Sequence, residues 1–357
     1  MDSTFPNQHE QLAQSLRGKV IKVPNLALIW VKWPQSINPH HERLQKLTDD
    51  RIDSFNLSKH KVARCRNTDI AFMVSCYWPQ ASWEAAVVIM YFITWLFIWD
   101  DEIDLGENEV GINLAAAQAF RLESLAFIEY SLGLKPEICR PVSQNSIINR
   151  FEEVGQGLRE YYNEDQRRRF FDQIKFYFEM TLQEQEHKVS DELPTLMEYF
   201  KSRMGSSGVY TCLSMTELAL HQVMPPQILD QPDMGIMWDG INVLISMSND
   251  ILSLKKELQS NAILGTVPLL CHEQGIDVQS AVESTCEFLQ TAVSMFDEAA
   301  TTILREHQDD ASEYDTLAAY IDVLRTNITG NYYWSVRTRR YLIPSTLQED
   351  ESMVIVL

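Results

Sequence analysis

The chain has no C-x-x-C pair, no glycine-rich phosphate loop and no internal repeat, and no stretch alternates polar with apolar residues convincingly. Without the alternation no β-rich fold is expected. Without the paired spacing, Cys65, Cys76, Cys139, Cys212, Cys271 and Cys286 read as buried, reduced thiols of an intracellular protein rather than a disulfide frame. Basic residues are scarce: 30 Lys and Arg stand against 50 Asp and Glu, a net charge of -20, which argues against nucleic acid or an anionic membrane surface as a partner. The opening MDSTFPNQHEQ has neither the basic start nor the apolar core of a signal peptide. The apolar run Ala85–Trp99 holds 15 residues and ends in acids, short of the ~20 that a membrane span needs. A cytoplasmic protein without a membrane span is expected.

What is present is helical punctuation. The 13 glycines and 13 prolines of 357 residues fall mostly between apolar segments rather than inside them. Helical spacing is expected over 40–57, 60–77, 81–104, 112–131, 236–259, 276–307 and 312–341. Two more helices are expected between 146 and 187, meeting near Asn163–Asp165, and an interrupted one from Pro194 towards His221. Asn38-Pro39 reads as the start of the first. A hydrophobic content of 45% suffices for a large core, and no linker splits the chain. One all-α domain over 21–345 is expected, with a loose N-terminus over 1–20 and a tail over 346–357.

The stretch that stands out is Trp99-Asp100-Asp101-Glu102-Ile103-Asp104, at the end of the uncharged run. On a helix, residues four apart lie about 40° apart around the axis, so Asp100 and Asp104 share a face. Ile93, Leu96 and Phe97 lie on the same face, one to two turns earlier, so the acids rim an apolar wall. Clustered carboxylates repel one another unless something cationic neutralises them. A hard divalent cation such as Mg²⁺ answers that need; a wet helix end answers it equally well, and this stretch alone leaves both open.

A second polar stripe follows. Asn249, Ser253 and Glu257 recur every fourth residue and drift by only about 40° each, so an amide oxygen, a hydroxyl and a carboxylate line up on one face. Lys256 returns to nearly that face and can set a positive charge beside a metal. An amphipathic helix with a polar solvent face explains the pattern too, although Asn and Ser are poor helix formers.

The two stripes together resemble the paired metal motifs of class I terpene synthases, most closely the microbial branch of fungi and bacteria. D-D-x-x-D at Asp100–Asp104 and N-D-x-x-S-x-x-K-E at Asn249–Glu257 stand about 150 residues apart. The run Trp334-Ser335-Val336-Arg337-Thr338-Arg339-Arg340-Tyr341 is similar to that branch's W-S-x-x-T-x-R-Y ending. Arg203, 46 residues before Asn249, resembles the family's pyrophosphate-sensing arginine, and Ser36–His40 resembles an N-terminal signature. The likeness spans 36–341.

The resemblance implies a single-domain helical bundle with a central active-site cavity, three Mg²⁺ ions and a linear prenyl diphosphate substrate, most often farnesyl and in some relatives geranylgeranyl diphosphate. By that likeness Asp100, with Asp104, holds two ions, and Asn249, Ser253 and Glu257 hold the third. Arg203, Lys256, Arg340 and Tyr341 grip the diphosphate, and Ile93, Leu96, Phe97 and Trp334, with Phe72 as a further candidate, wall the cavity. Asp101, about 100° round the helix from Asp100, is expected to accept hydrogen bonds from a closing arginine instead. Some relatives place an acid three positions after the sensing arginine; Ser206 stands there in this chain, ahead of Ser207 and Gly208. A chain-elongating prenyl transferase is disfavoured because the second motif is Asn/Ser/Glu rather than Asp-rich, and no D-x-D-D of a proton-initiated cyclase occurs. A non-catalytic helical scaffold is the rival outside enzymes. Monomers and homodimers both fit the likeness.

Overall fold

The computed structural model describes residues 7–104, 109–136, 138, 140–260, 262–341, 343 and 346–357, apart from the side chains of Asp104, Glu109 and Ile112. The expectations placed on residues 1–6, Gly106 and Cys139 lie outside the described residues. In chain order the helices are α1 (Gln8–Leu16), α2 (His41–Asp53), α3 (Lys59–Thr68), α4 (Ile70–Tyr77), α5 (Trp83–Asp104), α6 (Glu109–Ile112), α7 (Leu114–Ser131), α8 (Ser146–Asn149) and α9 (Glu152–Tyr161). They continue as α10 (Glu164–Val189), α11 (Leu196–Ser206), α12 (Val209–Leu213), α13 (Thr216–Leu220), α14 (Pro226–Leu229), α15 (Pro232–Gln259), α16 (Thr266–Gln274), α17 (Val278–Glu306) and α18 (Ala311–Ser335). The fold is all-α around this bundle. Among the described residues no helix is long and apolar enough to cross a membrane.

Local chemistry sets the helix ends. Asn163 caps α10 in a box closed by Gln166, and Thr195 caps α11 in a box closed by Glu198. Pro232 opens α15 at a position where its missing N–H costs no hydrogen bond. The stretch expected as one helix over 60–77 breaks at Asp69, which adopts φ 55° between α3 and α4. Asn38, expected as a helix cap, accepts from His40 N–H with its Oδ1 at 2.9 Å just ahead of α2, and does further work. It is buried, its amide donates to the carbonyls of Trp78 (3.1 Å) and Ala81 (2.8 Å), and α2 begins only at His41.

α5 is apolar on every side because every side is covered. Trp95 donates Nε1–H to Ile147 O at 2.9 Å, and Trp99 donates to Ser124 Oγ at 2.9 Å. The Trp99 ring stacks on Phe178 with centroids 3.9 Å apart and on Phe120 at 5.5 Å. Truncating such a ring costs ~3–5 kcal/mol. This packing on α7, α8 and α10 fixes the rotation of α5 and turns Ile93, Leu96, Phe97 and Asp100 inward. Across the bundle α4 and α18 pack closely because Gly330 lies on the Cys76 carbonyl, where a Cβ would overlap it.

At the N-terminus residues 8–16 form α1, in which Leu12, Ala13 and Leu16 make a buried stripe and Asn7 caps the helix. The C-terminal stretch pairs antiparallel with the N-terminal one: β1 (Val20–Val23) meets β2 (Met353–Val356) in the register Val20 to Val356. Each strand buries alternate residues. Four-residue strands far apart in sequence give too short an alternation to be seen in advance.

Candidate active site

One cavity of about 430 Å³ collects the predicted residues. Asp100, Ile93, Leu96 and Phe97 reach it from α5, Arg203 from α11, and Asn249, Ser253, Lys256 and Glu257 from α15. Trp334 reaches it from α18, and Arg340 and Tyr341 from the segment just after. Asp104 ends α5, and its side chain lies outside the described residues. Phe72 does not border the cavity; it packs on Tyr333 and His41, with centroids 5.6 and 5.5 Å away. α4 turns Met73 and Tyr77 to the cavity instead, four and eight residues after Asp69.

The α15 rim is wired by hydrogen bonds. Arg203 donates from Nη2 to Asn249 Oδ1 at 2.9 Å and to Asp250 Oδ1 at 3.1 Å. Asn249 donates from Nδ2 to the Tyr341 hydroxyl at 3.0 Å, so α11, α15 and the C-terminal segment meet on one amide. The Ser253 hydroxyl donates to the Asn249 carbonyl at 2.7 Å. Asp250 is buried and fully engaged: its Oδ2 accepts from Tyr199 (2.8 Å), Thr266 N (2.9 Å) and Thr266 Oγ1 (2.6 Å). It anchors Arg203 and ties α15 to α11 and α16.

The α5 rim differs. Tyr177 donates its hydroxyl to Asp100 Oδ1 at 2.5 Å. Asp101 accepts from Arg64 Nε on α3 at 3.0 Å, and Lys61 pairs with Glu102. Arg340 lies with its guanidinium carbon 5.0 Å from the centre of the Phe97 ring and donates to Thr68 Oγ1 at 3.3 Å. Burial works against its charge, but Tyr341, Asp101 and Asp100 outweigh that and keep it cationic.

The donor set on α15 suits a hard cation. Burial, with the charge of Asp250 beside it, pushes the Glu257 carboxyl up to about 7. Lys256 and Arg203 offset this rise only in part, and Asn249 and Ser253 add neutral oxygens on the same stripe. Among the described residues no three of His, Cys, Asp and Glu converge. Below the polar rims the wall is apolar and aromatic. Phe97 and Trp334 stand 6.2 Å apart, Trp334 meets Tyr341 edge-on at 5.6 Å, and its indole donates to Thr68 O at 2.7 Å. Burial raises the Cys212 thiol to about 12, so it stays protonated in the wall. Gly208, at φ 70°, turns the chain between α11 and α12, where Ser206, Ser207 and Val209 border the cavity.

Several lining residues escaped the sequence reading. Tyr177, Thr181, Glu184 and Lys188 form a stripe on α10 spaced by four, three and four residues, a legible signal on a helix otherwise crowded with charge. Asp250 sat inside the second motif but on the buried face.

The family described as terpene synthase family 2, C-terminal metal binding, matches residues 91–295. The chain is 31% identical over 362 residues to the sesquiterpene cyclase hepA of Aspergillus oryzae, covering 99% of this chain and 98% of that one. It is 24% identical over 330 residues to the terpene cyclase braA of Annulohypoxylon truncatum, covering 91% and 86%. The crystal structure of germacradien-4-ol synthase from Streptomyces citricolor superposes with a TM-score of 0.73 at 15% identity, covering 85% and 96%; at that identity the likeness concerns the fold.

Proposed function

The chain belongs to the terpene synthase family as a class I enzyme, and from that premise we propose that it ionises farnesyl diphosphate with Mg²⁺, releases pyrophosphate and cyclises the cation to a sesquiterpene hydrocarbon or alcohol. The observation that carries the proposal is the meeting of two oxygen-bearing rims, Asp100 on α5 and Asn249, Ser253 and Glu257 on α15, over one aromatic cavity. The relative's name, a sesquiterpene cyclase, supports the C15 chain length.

The residues divide the work. Asp100, with Asp104, is assigned two ions and Asn249, Ser253 and Glu257 the third; bound Mg²⁺ supplies charge that stabilises the departing diphosphate. Arg203, Lys256, Arg340 and Tyr341 bind the diphosphate oxygens and hold the leaving group in place after the C–O bond breaks. A net charge of -20 is no obstacle, because these cations and the metals reverse the charge locally. Ile93, Leu96, Phe97 and Trp334 exclude water from the carbocation, and the ring faces of Phe97 and Trp334 favour positive charge. The test is pyrophosphate release from farnesyl diphosphate by wild type, Asp100→Ala and Asn249→Ala. Release by the wild type with severe loss in both variants, at unchanged helix content, is expected; full activity in both variants would sink the site.

A further inference from the structure

Glu184 is an unexpected neighbour for a diphosphate, since on charge alone a carboxylate repels it. Its side chain is nevertheless only 18% exposed and borders the cavity, with Lys188 Nζ 2.9 Å from its Oε1. The approach of α11 to α10 sets what else surrounds it. Gly205 packs on Met180 and Phe176 so tightly that a Cβ would overlap Met180. Met180 and Glu184 are one turn apart on α10, so the close contact also brings the end of α11, with Arg203 and Ser206, against Glu184. Burial opposes the charge on Glu184, yet Lys188 and Arg203 beside it hold its carboxyl down at about 2. Arg203 is held from α15 by Asp250, 3.1 Å away, and lines the same cavity as Glu184 on α10.

Resting on the function proposed above, we propose that Glu184 is a positioning residue that holds Lys188 at the cavity, and that Lys188 is a further contact for the substrate's diphosphate. The sign of one measurement separates this from a bystander role. Removing a bystander negative charge tightens binding of an anion; removing a positioning group loosens it.

The experiment is calorimetric titration of inorganic pyrophosphate with Mg²⁺ into the full chain, alongside kcat and KM. Glu184→Gln and Lys188→Ala are each expected to weaken pyrophosphate binding about tenfold, the scale of one charged hydrogen bond. KM should rise more than kcat falls, and Lys188→Arg should retain most of the affinity. Glu184→Asp, which keeps the charge but shortens the reach, should fall between, and it serves if Glu184→Gln does not fold. Glu184→Gln, or Glu184→Asp in its place, binding pyrophosphate as tightly as the wild type or more tightly overturns the inference while leaving the function intact. A wild type that binds no pyrophosphate with Mg²⁺ overturns both.

Discussion

The Nη2 atom of Arg203 lies between two consecutive side chains of α15, 2.9 Å from Oδ1 of Asn249 and 3.1 Å from Oδ1 of Asp250. Consecutive residues on a helix point about 100° apart, so one guanidinium spans the cavity face and the buried face of the same helix. On the proposed reading Asn249 Oδ1 is a metal ligand. Arg203 then has to release that oxygen when the ion arrives, while Asp250 keeps it tethered. A lysine ammonium has donors enough for both acceptors, but its side chain ends one atom short of the place Nη2 holds. Arg203→Lys is therefore expected to lower turnover by about 10²-fold or more with helix content unchanged, measured by pyrophosphate release and circular dichroism. Retention of more than half the wild-type rate would contradict the bridging role.

Neighbouring positions should fail in different ways. Asp250 is 2% exposed and accepts from Tyr199, Thr266 and Arg203. Removing one member of a buried ion pair costs ~3–5 kcal/mol, so Asp250→Ala should lower Tm sharply. Asn249→Ala removes a cavity-facing amide and should leave Tm within a few degrees while abolishing turnover. Thermal unfolding of the two variants side by side checks the distinction; equal losses of Tm would erase it.

The aromatic wall should govern products rather than ionisation. Phe97 and Trp334 border the cavity below the rims, and neither is expected to touch the diphosphate. Phe97→Leu should keep pyrophosphate release within about thirtyfold of wild type, the worth of a cation–π contact being ~1–2 kcal/mol. It should broaden the mixture of extracted products. An unchanged product mixture would remove Phe97 from the wall's role.

The Glu184 carboxyl, held at about 2 against an ordinary 4.5, gives a pH signature. A carboxyl lowered on folding stabilises the fold at pH above its ordinary value and loses that contribution as pH falls towards the folded value. Wild type should therefore exceed Glu184→Gln in Tm at pH 6, and the gap should close between about pH 4.5 and 2. A gap that stays constant over that window would mean that the carboxylate charge adds nothing to stability.

What the sequence made legible follows the reach of local chemistry. α5 and α15 could be read because a helix of uncharged residues and a stripe of oxygen donors each repeat at helical spacing. The boundary at Asn163 was visible because a capping box is local. Pairings between distant segments were not. β1 and β2 join residues 20–23 to 353–356, and nothing within four residues announces a partner so far away. Asn38 looked like a cap because Pro39 follows it, and only the fold brings the Trp78 and Ala81 carbonyls to its amide. Phe72 looked like wall by composition, but the turn at Asp69 rotates α4 so that Met73 and Tyr77 face the cavity. Glu184 was hidden because an acid beside a lysine four residues on reads as a surface pair, and its burial comes from α11.

The most direct measurement is the organic extract of the protein incubated with farnesyl diphosphate, with Mg²⁺ or with a chelator in its place, analysed by gas chromatography and mass spectrometry. The account predicts cyclic C15 hydrocarbons or alcohols with Mg²⁺ and none with the chelator. Only unreacted diphosphate, a lengthened prenyl chain, or the same products in both samples would contradict it.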